Sequence, residues 1–450
     1  MISIISVLSI VDQSANVAEA SSICARLLGR LAQQLRFLPM QRYVVIVDAY
    51  SSASQLPGQF EKLGYKVIHV QSSPRTPEWY GPLRKADFVF EGNLSHLVRE
   101  LQQYPIDAVM NGTDKALSLA DNLAYRLRMP NNGLRLSGAR RNKYLQVLAL
   151  ARNHVPVAES FASAKLDELL KWVERREKWP VVVKPTESSG SDGIHVCRNR
   201  DEVISAYRSL YGKQNGDGGT NTEVMVQEYL TGREYIVDTV SSNGIHLITD
   251  IWEYRKTEVP VSTGGKAVIY DYAELVPIEK APKELVEYGK QTLGALRIRH
   301  GASHLEIMMT TQGPRLVEAN PRIAGVGLPA YVEAAGNDNP TQITAEAMVS
   351  SEKFHQRLRQ PTKSIQPGRI VILISAHTGI VKNVRHLAEL QSLPSYQSHK
   401  VLDAGKRLAV TENLDTSPGI VFLTHPDPTQ VEKDYQQIRR WESQGFFELE

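Results

Sequence analysis

Polar side chains that could bind a cation recur at alternate positions in the segment ASHLEIMMTTQGPRLVEANPR, residues 302–322. His304 and Glu306 alternate with apolar residues before the turn TTQGP, and Glu318 and Asn320 do so after it. Alternation with a period of two is typical of β-strands that bury one face. The segment therefore predicts a hairpin of two amphipathic strands with its polar side chains on one face.

The length of the turn decides which of these side chains face each other. If residues 310–314 form the loop, Met309 faces Arg315, and counting outward places Glu306 directly opposite Glu318. This register brings two carboxylates together on one face of the hairpin.

Like charges directly opposite each other destabilise a sheet, so facing carboxylates need a compensating cation or a solvated setting. Asn320, which the same register places opposite His304, adds an amide oxygen to the oxygens of Glu306 and Glu318. Oxygen ligands of this kind suit Mg²⁺, with Mn²⁺ as a second candidate, bound together with the phosphates of ATP. The alternative interpretation is a solvent-exposed strand face on which the carboxylates separate in water.

An arginine and a glycine-containing loop follow the second strand. Arg322 comes two residues after Asn320, so we expect its side chain near the same site. A guanidinium there could hold a substrate carboxylate or stabilise charge on a transferring phosphoryl group. Gly325 and Gly327 would let the backbone approach a ligand. A structural salt bridge and a tight turn explain the same residues.

The segment PVVVKPTESSGSDGIHVC, residues 180–197, predicts a strand, a loop of small residues and a second strand. Backbone N–H groups of such a loop can approach a polyphosphate, and a lysine at the end of the first strand can neutralise it. The candidate residues are Lys184, Ser188, Ser189, Gly190 and Gly193. The Walker ending Gly-Lys-Ser/Thr is missing, and a flexible surface turn is the alternative.

The segment VMVQEYLTGREYIVDTV, residues 224–240, predicts two strands across a TGR turn. Its backbone could meet the edge of an adenine base, and a carboxylate could accept ribose hydroxyls. The candidates for contact with an adenosine are Gln227, Glu228, Tyr229, Leu230 and Glu234. By spacing alone this is an ordinary hairpin.

Bulk composition excludes several classes of protein. The 450 residues carry 52 lysines and arginines against 49 acids, a net charge of +3, with no basic stripe interleaved with aromatics, so nucleic acid is not an expected partner. Cys24 and Cys197 are far apart, which argues against disulfide frameworks and zinc clusters and fits a reducing cytoplasm. The apolar start MISIISVLSI lacks the charged beginning of an export signal and is too short to span a membrane.

The region after residue 40 begins as an α/β unit. A buried-type strand over 43–49 is followed by DAYSSASQLPG, which lacks the three spaced glycines of a dinucleotide site. Asn111, Thr113 and Asp114 lie just beyond the carboxyl end of a later strand. Open α/β sheets bind their ligands at this end of the strands. Turn and helix-cap chemistry explains these polar residues equally well.

Taken in chain order, these motifs resemble the ATP-grasp superfamily. They are Lys143 in RRNKYLQVLALARNHVPV, Lys184 with its loop, the QEYL segment, Glu234, and the HLE and VEANPR motifs. The resemblance covers residues 138–345. With the C-terminal segments GRIVILISAHTGIV and NLDTSPGIVFLTHPD, the whole chain is most similar to the L-amino acid ligases, which make dipeptides from free amino acids.

The resemblance implies that ATP lies between two α+β lobes and that Lys143 and Lys184 contact its phosphates. It assigns Mg²⁺ to Glu306, Glu318 and Asn320, and it places Arg322 beside an acyl phosphate. The implied reaction transfers a phosphoryl group to the carboxylate of one amino acid, which the amine of the second then attacks. By analogy with related enzymes, a homodimer is plausible.

The segment YRKTEVPVSTGGKAVIYDY, residues 254–272, is the expected specificity and lid region, because Gly264 and Gly265 permit movement. Glu253 and Lys266 are candidate site residues there, and Glu253, Arg322, Lys184 and Gly325 form the predicted catalytic set. Glu253 and Lys266 could equally be surface residues.

The predicted fold is an α/β N-terminal domain, an α+β ATP-grasp fold of two lobes, and a small C-terminal α+β subdomain that ends in a helix over 428–443. The first 39 residues are a predicted extension that contains a helix, with Met40 as an alternative start. The predicted domain bounds are 40–137, 138–360 and 361–450, and 138–230 includes the mobile lobe with the phosphate loop.

Two other functions fit the same fold. One is an ATP-grasp carboxylase that uses bicarbonate, although the C-terminal part shows no biotin-carrier segment. The other is a catalytically silent nucleotide-binding regulator. A silent regulator predicts broken lysine or metal positions, and here both are intact.

Overall fold

The computed structural model describes residues 41–74, 84–188, 193–215, 218–260, 266–360, 363, 365–412, 414 and 416–450, with only the backbone at 260 and 266–268. The predicted N-terminal extension, Ser189, Gly190, Gly264 and Gly265 lie outside these ranges, as does the side chain of Lys266. In the part of the chain that is described, no helix combines the length and the apolar composition needed to cross a bilayer.

The first layer is a four-stranded sheet with parallel pairings, as the α/β pattern predicted. Its elements are β1 (Arg42–Val47), β2 (Tyr65–Gln71), β3 (Phe88–Val89), β4 (Ile106–Asn111), α1 (Leu56–Lys62), α2 (Leu94–Leu101) and α3 (Leu117–Arg126), with strand order β3-β2-β1-β4. The two faces of β1 pack in two different hydrophobic cores. Val45 and Val47 pack in a core with α2 and α3, and Val44 and Ile46 pack in a core with α1.

The second layer is a small antiparallel sheet that begins after helix α4. Its elements are α4 (Lys143–Arg152), β5 (Ser160–Ser163), α5 (Leu166–Arg176), β6 (Val181–Pro185), β7 (His195–Cys197), α6 (Arg200–Leu210) and β8 (Val224–Glu228), with strand order β5-β8-β6-β7. Asn142 caps α4 because its Oδ1 accepts hydrogen bonds from the N–H groups of Tyr144 and Leu145, both at 3.0 Å. The cap fixes Lys143 as the first residue of the helix.

The third layer is an eight-stranded antiparallel sheet. Its strands are β9 (Arg233–Ser242), β10 (Ile245–Pro260), β11 (Lys266–Val276), β12 (Gly301–Thr310), β13 (Gly313–Asn320), β14 (Gly368–Ile372), β16 (Tyr396–Val401) and β18 (Gly419–Thr424), in the order β13-β12-β9-β10-β11-β14-β18-β16. The sheet runs without interruption across the predicted boundary at 360/361. The domain bounds therefore stay predictions, while the mixed α/β content is confirmed.

The remaining elements pack around this sheet. They are α7 (Lys283–Ala295), α8 (Leu328–Ala334), α9 (Pro340–Val349), α10 (Ser351–Leu358), α11 (Leu387–Gln391), α12 (Pro428–Ser443), and a three-stranded sheet of β15 (Gly379–Val384), β17 (Arg407–Leu408) and β19 (Phe447–Leu449). The predicted closing helix is confirmed, and it begins at Pro428 after the cap Asp427.

The predicted hairpin across the TGR turn is wrong. β8 belongs to the small sheet and β9 to the large one, so the four residues between them connect two sheets. At Gly232, with φ +152°, an added Cβ would lie 2.0 Å from the carbonyl oxygen of Met309. The sequence continues as a strand on both sides, but the partners of each strand come from elsewhere in the chain.

The hairpin β12–β13 has a different turn from the predicted one. Thr310 pairs with Gly313, and Met309 pairs with Pro314 instead of the predicted Arg315. A bulge beyond Glu306 then shifts the register by one residue, so Glu306 still lies opposite Glu318. The prediction of the facing carboxylates is confirmed, although the predicted loop is wrong.

The strand β9 divides its side chains between the two faces of the large sheet. Tyr235 and Val237 pack in the core that contains α7. Glu234 and Asp238 therefore project from the opposite face, because successive residues of a strand alternate. This second face carries the candidate site.

Candidate functional site

A cavity of about 440 Å³ lies between the small sheet and the large sheet. Its apolar lining comes from both, with Val182, Ile194, Val196, Met308 and Val317. The lining also contains Lys184, Glu234 and four predicted adenosine contacts, Gln227, Glu228, Tyr229 and Leu230, which we call the hinge residues. An apolar slot with polar groups at one edge is the general form of a site for a planar base.

Side-chain contacts with residues outside the cavity lining hold Gln227 and Glu228 in place. Gln227 donates from Nε2 to Ser160 Oγ at 3.0 Å. Glu228 accepts from the N–H of Glu159 at 2.9 Å and lies 3.4 Å from Arg176. Tyr229 is half-exposed at the end of β8. These bonds fix the end of β8 at the mouth of the cavity.

Glu234 has partners that sequence reasoning missed. Lys256 Nζ lies 2.5 Å from its Oε2, and the hydroxyl of Tyr270 donates to its Oε1 at 2.9 Å. The ammonium of Lys256 also lies 4.9 Å from the centre of the Tyr270 ring. Both residues come from the predicted lid segment, whose strands β10 and β11 carry them to the cavity.

The facing carboxylates are partly buried beside cations. Lys143 Nζ lies 2.8 Å from Glu318 Oε1, yet burial raises the pKa of Glu318 above its usual value, helped by the charge of Glu306. Burial alone would also raise the pKa of Glu306, but the hydrogen bond and charge of His304 outweigh it, and the pKa is lowered. The pKa of Glu306 is lowered and that of Glu318 is raised because the two carboxylates repel each other and the nearby positive charge favours Glu306.

His304 is held between two carboxylates. Its Nδ1 lies 2.7 Å from Asp238 Oδ1, and its Nε2 lies 3.6 Å from Glu306 Oε1. Burial would lower the pKa of His304, but Asp238 and Glu306 raise it to about 10. His304 is therefore an imidazolium at neutral pH and a fixed positive neighbour of Glu306.

Two lysines lie near each other beside the predicted phosphate loop, the segment from Ser188 to Gly193. Lys143 donates from Nζ to the carbonyl oxygen of Ser188 at 2.7 Å. Lys184 is buried, and burial together with the charge of Lys143 lowers its pKa to about 8. Gly193 ends the loop at φ +70°, where an added Cβ would lie 2.6 Å from Leu210. The lysines form a positive region beside the carboxylates.

Arg322 joins the first sheet to the site. Its Nε lies 2.8 Å from Oδ2 of Asp114, which follows β4. Asn111 donates from Nδ2 to the carbonyl oxygen of Pro321 at 3.1 Å. The polar residues at the carboxyl end of β4 therefore contact the loop after β13. The sequence predicted only that these residues lie where open α/β sheets bind ligands.

The donor set of this site fits a hard divalent cation. Within the described ranges, no group of three or more His, Cys, Asp or Glu side chains is arranged to hold a metal ion. Glu306 and Glu318 are only two carboxylates, with Asn320 as a third oxygen donor opposite His304 on the same hairpin. Mg²⁺ keeps few protein ligands where it binds with nucleotide phosphates, so a set of this size suits it.

Comparison with known proteins agrees with this geometry. Residues 177–330 match the model of the ATP-grasp domain. The sequence is 30% identical, over 92% of this chain and 99% of the relative, to dapdiamide A synthase of Enterobacter agglomerans. The chain belongs to the ATP-grasp family. It is an ATP-dependent ligase that forms C–N bonds, and these are amide bonds.

Two further proteins extend the comparison. An L-arginine-specific L-amino acid ligase of Bacillus subtilis is 26% identical over 247 residues, which are 54% of this chain and 58% of that one. The crystal structure of an L-amino acid ligase from Bacillus licheniformis covers 89% of this chain, with 97% of its own length matched, at a TM-score of 0.68 and 18% identity. At that identity the structural likeness shows the fold alone.

Two members of the predicted catalytic set, Glu253 and Gly325, do not line the cavity between the two sheets. Glu253 lies on the opposite face of the large sheet, where it accepts from the hydroxyl of Tyr235 at 3.2 Å and pairs with Arg255 at 3.0 Å. Glu253 is the register partner of Tyr235 and shares its face, because successive residues of a strand alternate, and its catalytic role stays a prediction. Gly325 offers only backbone, and its carbonyl accepts from the N–H of Leu328.

Proposed function

We propose that this ligase joins two amino acids into a dipeptide through an acyl phosphate, with ATP converted to ADP and phosphate. The observation that carries the proposal is the facing pair Glu306 and Glu318, partly buried beside Lys143 and next to a cavity lined by residues 227–230. The relatives named dapdiamide A synthase and L-arginine-specific L-amino acid ligase support the substrate class.

In this proposal the nucleotide occupies the cavity between the sheets. The backbone after β8 meets the edge of the base, Glu234 accepts the ribose hydroxyls, and Lys143 and Lys184 neutralise the phosphates. The apolar lining of the cavity from both sheets supports this assignment, since a base needs two flat walls. The Ser188–Gly193 loop contributes backbone N–H groups to the phosphates.

Mg²⁺ would be held by Glu306, Glu318 and Asn320 together with the phosphates. A bound Mg²⁺ supplies charge neutralisation at the transferring phosphoryl group. The raised pKa of Glu318 supports a cation at this point, because burial next to Glu306 leaves the carboxylate short of positive charge.

The chemistry requires positioning more than covalent participation of the protein. The γ-phosphoryl group passes to a carboxylate oxygen of the first amino acid, and ADP leaves. The neutral amine of the second amino acid attacks the acyl carbon, phosphate leaves with the C–O bond electrons, and the amine loses a proton. Arg322 lies close to Glu318 and Glu306 and stabilises the negative charge that develops on the acyl phosphate.

The test is phosphate release from ATP and Mg²⁺ with the twenty amino acids, singly and in pairs, with mass analysis of products. We expect ADP, phosphate and a dipeptide with particular pairs. Turnover only with bicarbonate, or with a carboxylic acid that is not an amino acid, would overturn the dipeptide proposal and leave the amide-forming ligase family intact.

A further inference from the structure

Two tyrosines of the predicted lid segment pack against each other on the site face of the large sheet. Tyr254 on β10 is the register partner of Glu234 on β9, and register partners of an antiparallel pair project from the same face. The centre of the Tyr254 ring lies 4.3 Å from that of Tyr270 on β11, at an angle of 39° between the rings. Both rings pack against the buried core that contains Trp252.

The hydroxyl groups of these two tyrosines differ in their contacts. Tyr270 donates to Oε1 of Glu234 at 2.9 Å. The hydroxyl of Tyr254 makes no hydrogen bond with any residue that the structure describes. A phenylalanine would make the same ring contacts, so packing does not account for the oxygen. Because a tyrosine hydroxyl within a folded protein usually has a hydrogen-bond partner, we expect a ligand to supply the partner of Tyr254.

The charges around Tyr254 make its hydroxyl a hydrogen-bond donor. Burial raises the pKa of Tyr254 well above its usual value, and the negative charges of Glu306, Glu234 and Asp238 act in the same direction. The positive charge of Arg322 acts in the opposite direction and does not outweigh them. The hydroxyl therefore keeps its proton at neutral pH, and it can donate to an oxygen that carries negative charge.

The position of Tyr254 distinguishes it from the residues that line the nucleotide cavity. Met308, Glu234 and Tyr254 are successive register partners on β12, β9 and β10. Met308, Glu234 and Tyr270 line the cavity, whereas Tyr254 does not. Tyr254 therefore lies beside the cavity, within the electrostatic influence of Arg322. An acceptor at this point belongs to a molecule next to the nucleotide.

We propose that the hydroxyl of Tyr254 donates a hydrogen bond to the carboxylate of the amino acid that is activated. The inference rests on the proposed function, and it names a residue that binds the first substrate of that reaction. One carboxylate oxygen receives the γ-phosphoryl group. The other oxygen accepts from Tyr254 and becomes the carbonyl oxygen of the acyl phosphate.

The same hydrogen bond stabilises the second step. When the amine of the second amino acid attacks the acyl carbon, the electron pair of the C=O bond moves to the carbonyl oxygen. That pair re-forms the C=O bond as phosphate leaves. A donor that is already in place stabilises the intervening negative charge without reorganisation. Tyr254 therefore contacts the reacting group in both steps.

Tyr254→Phe is the decisive variant, because it removes only the oxygen and keeps the ring against Tyr270. We expect kcat/KM for the activated amino acid to fall roughly 10²-fold, the scale for the loss of one donor to a developing oxyanion. KM for ATP should stay within about twofold of the wild-type value, since the nucleotide does not accept from this hydroxyl. The urea midpoint should match that of the wild type, because no hydrogen bond to a described residue is lost.

Tyr207→Phe is the matched control. Tyr207 on α6 also stacks on a second tyrosine, Tyr211, with 5.1 Å between the ring centres, but its hydroxyl donates to the carbonyl oxygen of Ala164 at 2.6 Å. Tyr207 does not line the cavity. The control should lower the urea midpoint and leave kcat/KM unchanged, the reverse of the result for Tyr254→Phe.

Hydroxylamine in place of the second amino acid tests which substrate Tyr254 contacts, because it traps an acyl phosphate as the hydroxamate. We expect Tyr254→Phe to lower hydroxamate formation together with dipeptide formation. A fall in dipeptide formation alone would place the hydroxyl against the second amino acid and overturn the proposal. Unchanged kinetics, or a change confined to KM for ATP, would also overturn it.

Failure of the dipeptide function gives a different result. If the wild type releases phosphate only with a carboxylic acid that is not an amino acid, the dipeptide proposal fails. The comparison of the wild type with Tyr254→Phe is then made with that acid and hydroxylamine. It still decides the role of Tyr254, since the proposed hydrogen bond goes to the carboxylate and not to the amino group.

Discussion

Lys143 is the counter-ion of Glu318, with 2.8 Å between Nζ and Oε1, and the same ammonium donates to the carbonyl oxygen of Ser188 at 2.7 Å. One side chain therefore links the face of the large sheet that carries Glu306 and Glu318 to Ser188, where the predicted phosphate loop begins. Lys143 can reach both because the Asn142 cap begins the helix α4 at this point. The arrangement places the site at the junction of the two sheets.

Glu318→Gln should abolish ATP turnover while the fold remains. Gln keeps the shape of the side chain but removes the charge that a cation needs, so we expect phosphate release to fall by roughly 10²-fold or more, the scale for losing one electrostatic contact to a transition state. Turnover at several Mg²⁺ concentrations and circular dichroism measure the two quantities.

Glu284→Gln is the matched control for this variant. Glu284 is an exposed glutamate in the first turn of α7 and lies outside the cavity lining. Its substitution should leave turnover unchanged. Undiminished activity in Glu318→Gln would remove the metal hypothesis.

The pH dependence of kcat/KM for ATP should show the loss of the proton from Lys184. Because burial and Lys143 lower its pKa to about 8, the ammonium loses its proton above that pH in the nucleotide-free protein. We expect kcat/KM for ATP to fall as pH rises through about 8. Lys184→Arg should flatten the profile between pH 7 and 9, since a guanidinium stays charged throughout. A wild-type profile with no fall near pH 8 would contradict this.

The same shift has a consequence for stability. In the unfolded chain Lys184 keeps its proton up to its ordinary pKa, whereas the folded chain gives it up at about 8. Between these values the unfolded state binds more protons, so the contribution of Lys184 to the free energy of unfolding increases as pH rises through this window. Urea titrations of the wild type and Lys184→Met between pH 7.5 and 10 would measure that difference.

The sequence predicts those parts of the candidate site that depend on the alternation of polar and apolar residues within one hairpin. Alternation gives the two strands around Glu306 and Glu318, and their facing arrangement is confirmed. The predicted loop of five residues set the register one residue away from the observed pairing, and the bulge beyond Glu306 shifts the register by one residue. Nothing in the residue pattern predicts a bulge there, so the agreement depends on two deviations that cancel.

Long-range placement could not be derived from the sequence. The strands that pair with β8 and β9 come from distant parts of the chain. The continuous strand pattern over 224–240 therefore predicts one hairpin, although its two strands belong to different sheets. The contacts of Lys256 with Glu234 and of Asp114 with Arg322 join segments 22 and 208 residues apart. No local spacing predicts such pairs.

Glu253 and Glu234 should separate in function because they project from opposite faces of the large sheet. Glu234→Gln removes a carboxylate from the cavity lining, and we expect a rise in KM for ATP of about tenfold, the cost of one charged hydrogen bond. Glu253→Gln should leave KM for ATP within about twofold and lower only stability. A kinetic loss in Glu253→Gln with normal stability would support its predicted catalytic role.

Arg322→Ala should depress turnover far more than nucleotide affinity. The guanidinium lies beside the reacting carboxylate in the proposed function, so we expect kcat to fall by about 10²–10³-fold with little change in the dissociation constant of ATP. Arg315→Ala is the control on the preceding strand β13, because among the described residues the hydrogen bonds of Arg315 go to the backbone carbonyls of Gln312 and Pro314. An equal fall in turnover and nucleotide affinity would assign Arg322 a structural role.

Gly232, between the two sheets, should not tolerate a side chain. Its φ is +152°, and an added Cβ would lie 2.0 Å from the carbonyl oxygen of Met309, which cannot move without shifting β12. We expect Gly232→Ala to lower the free energy of unfolding by about 2 kcal/mol or more, as for other strained glycine positions. Gly294→Ala is a control of opposite sign, because nothing lies within 4 Å of its Cβ in α7, so it should stabilise by about 0.5–1 kcal/mol. Urea unfolding of both variants measures this, and an unchanged midpoint for Gly232→Ala would show that the sheets separate enough in solution to admit the methyl group.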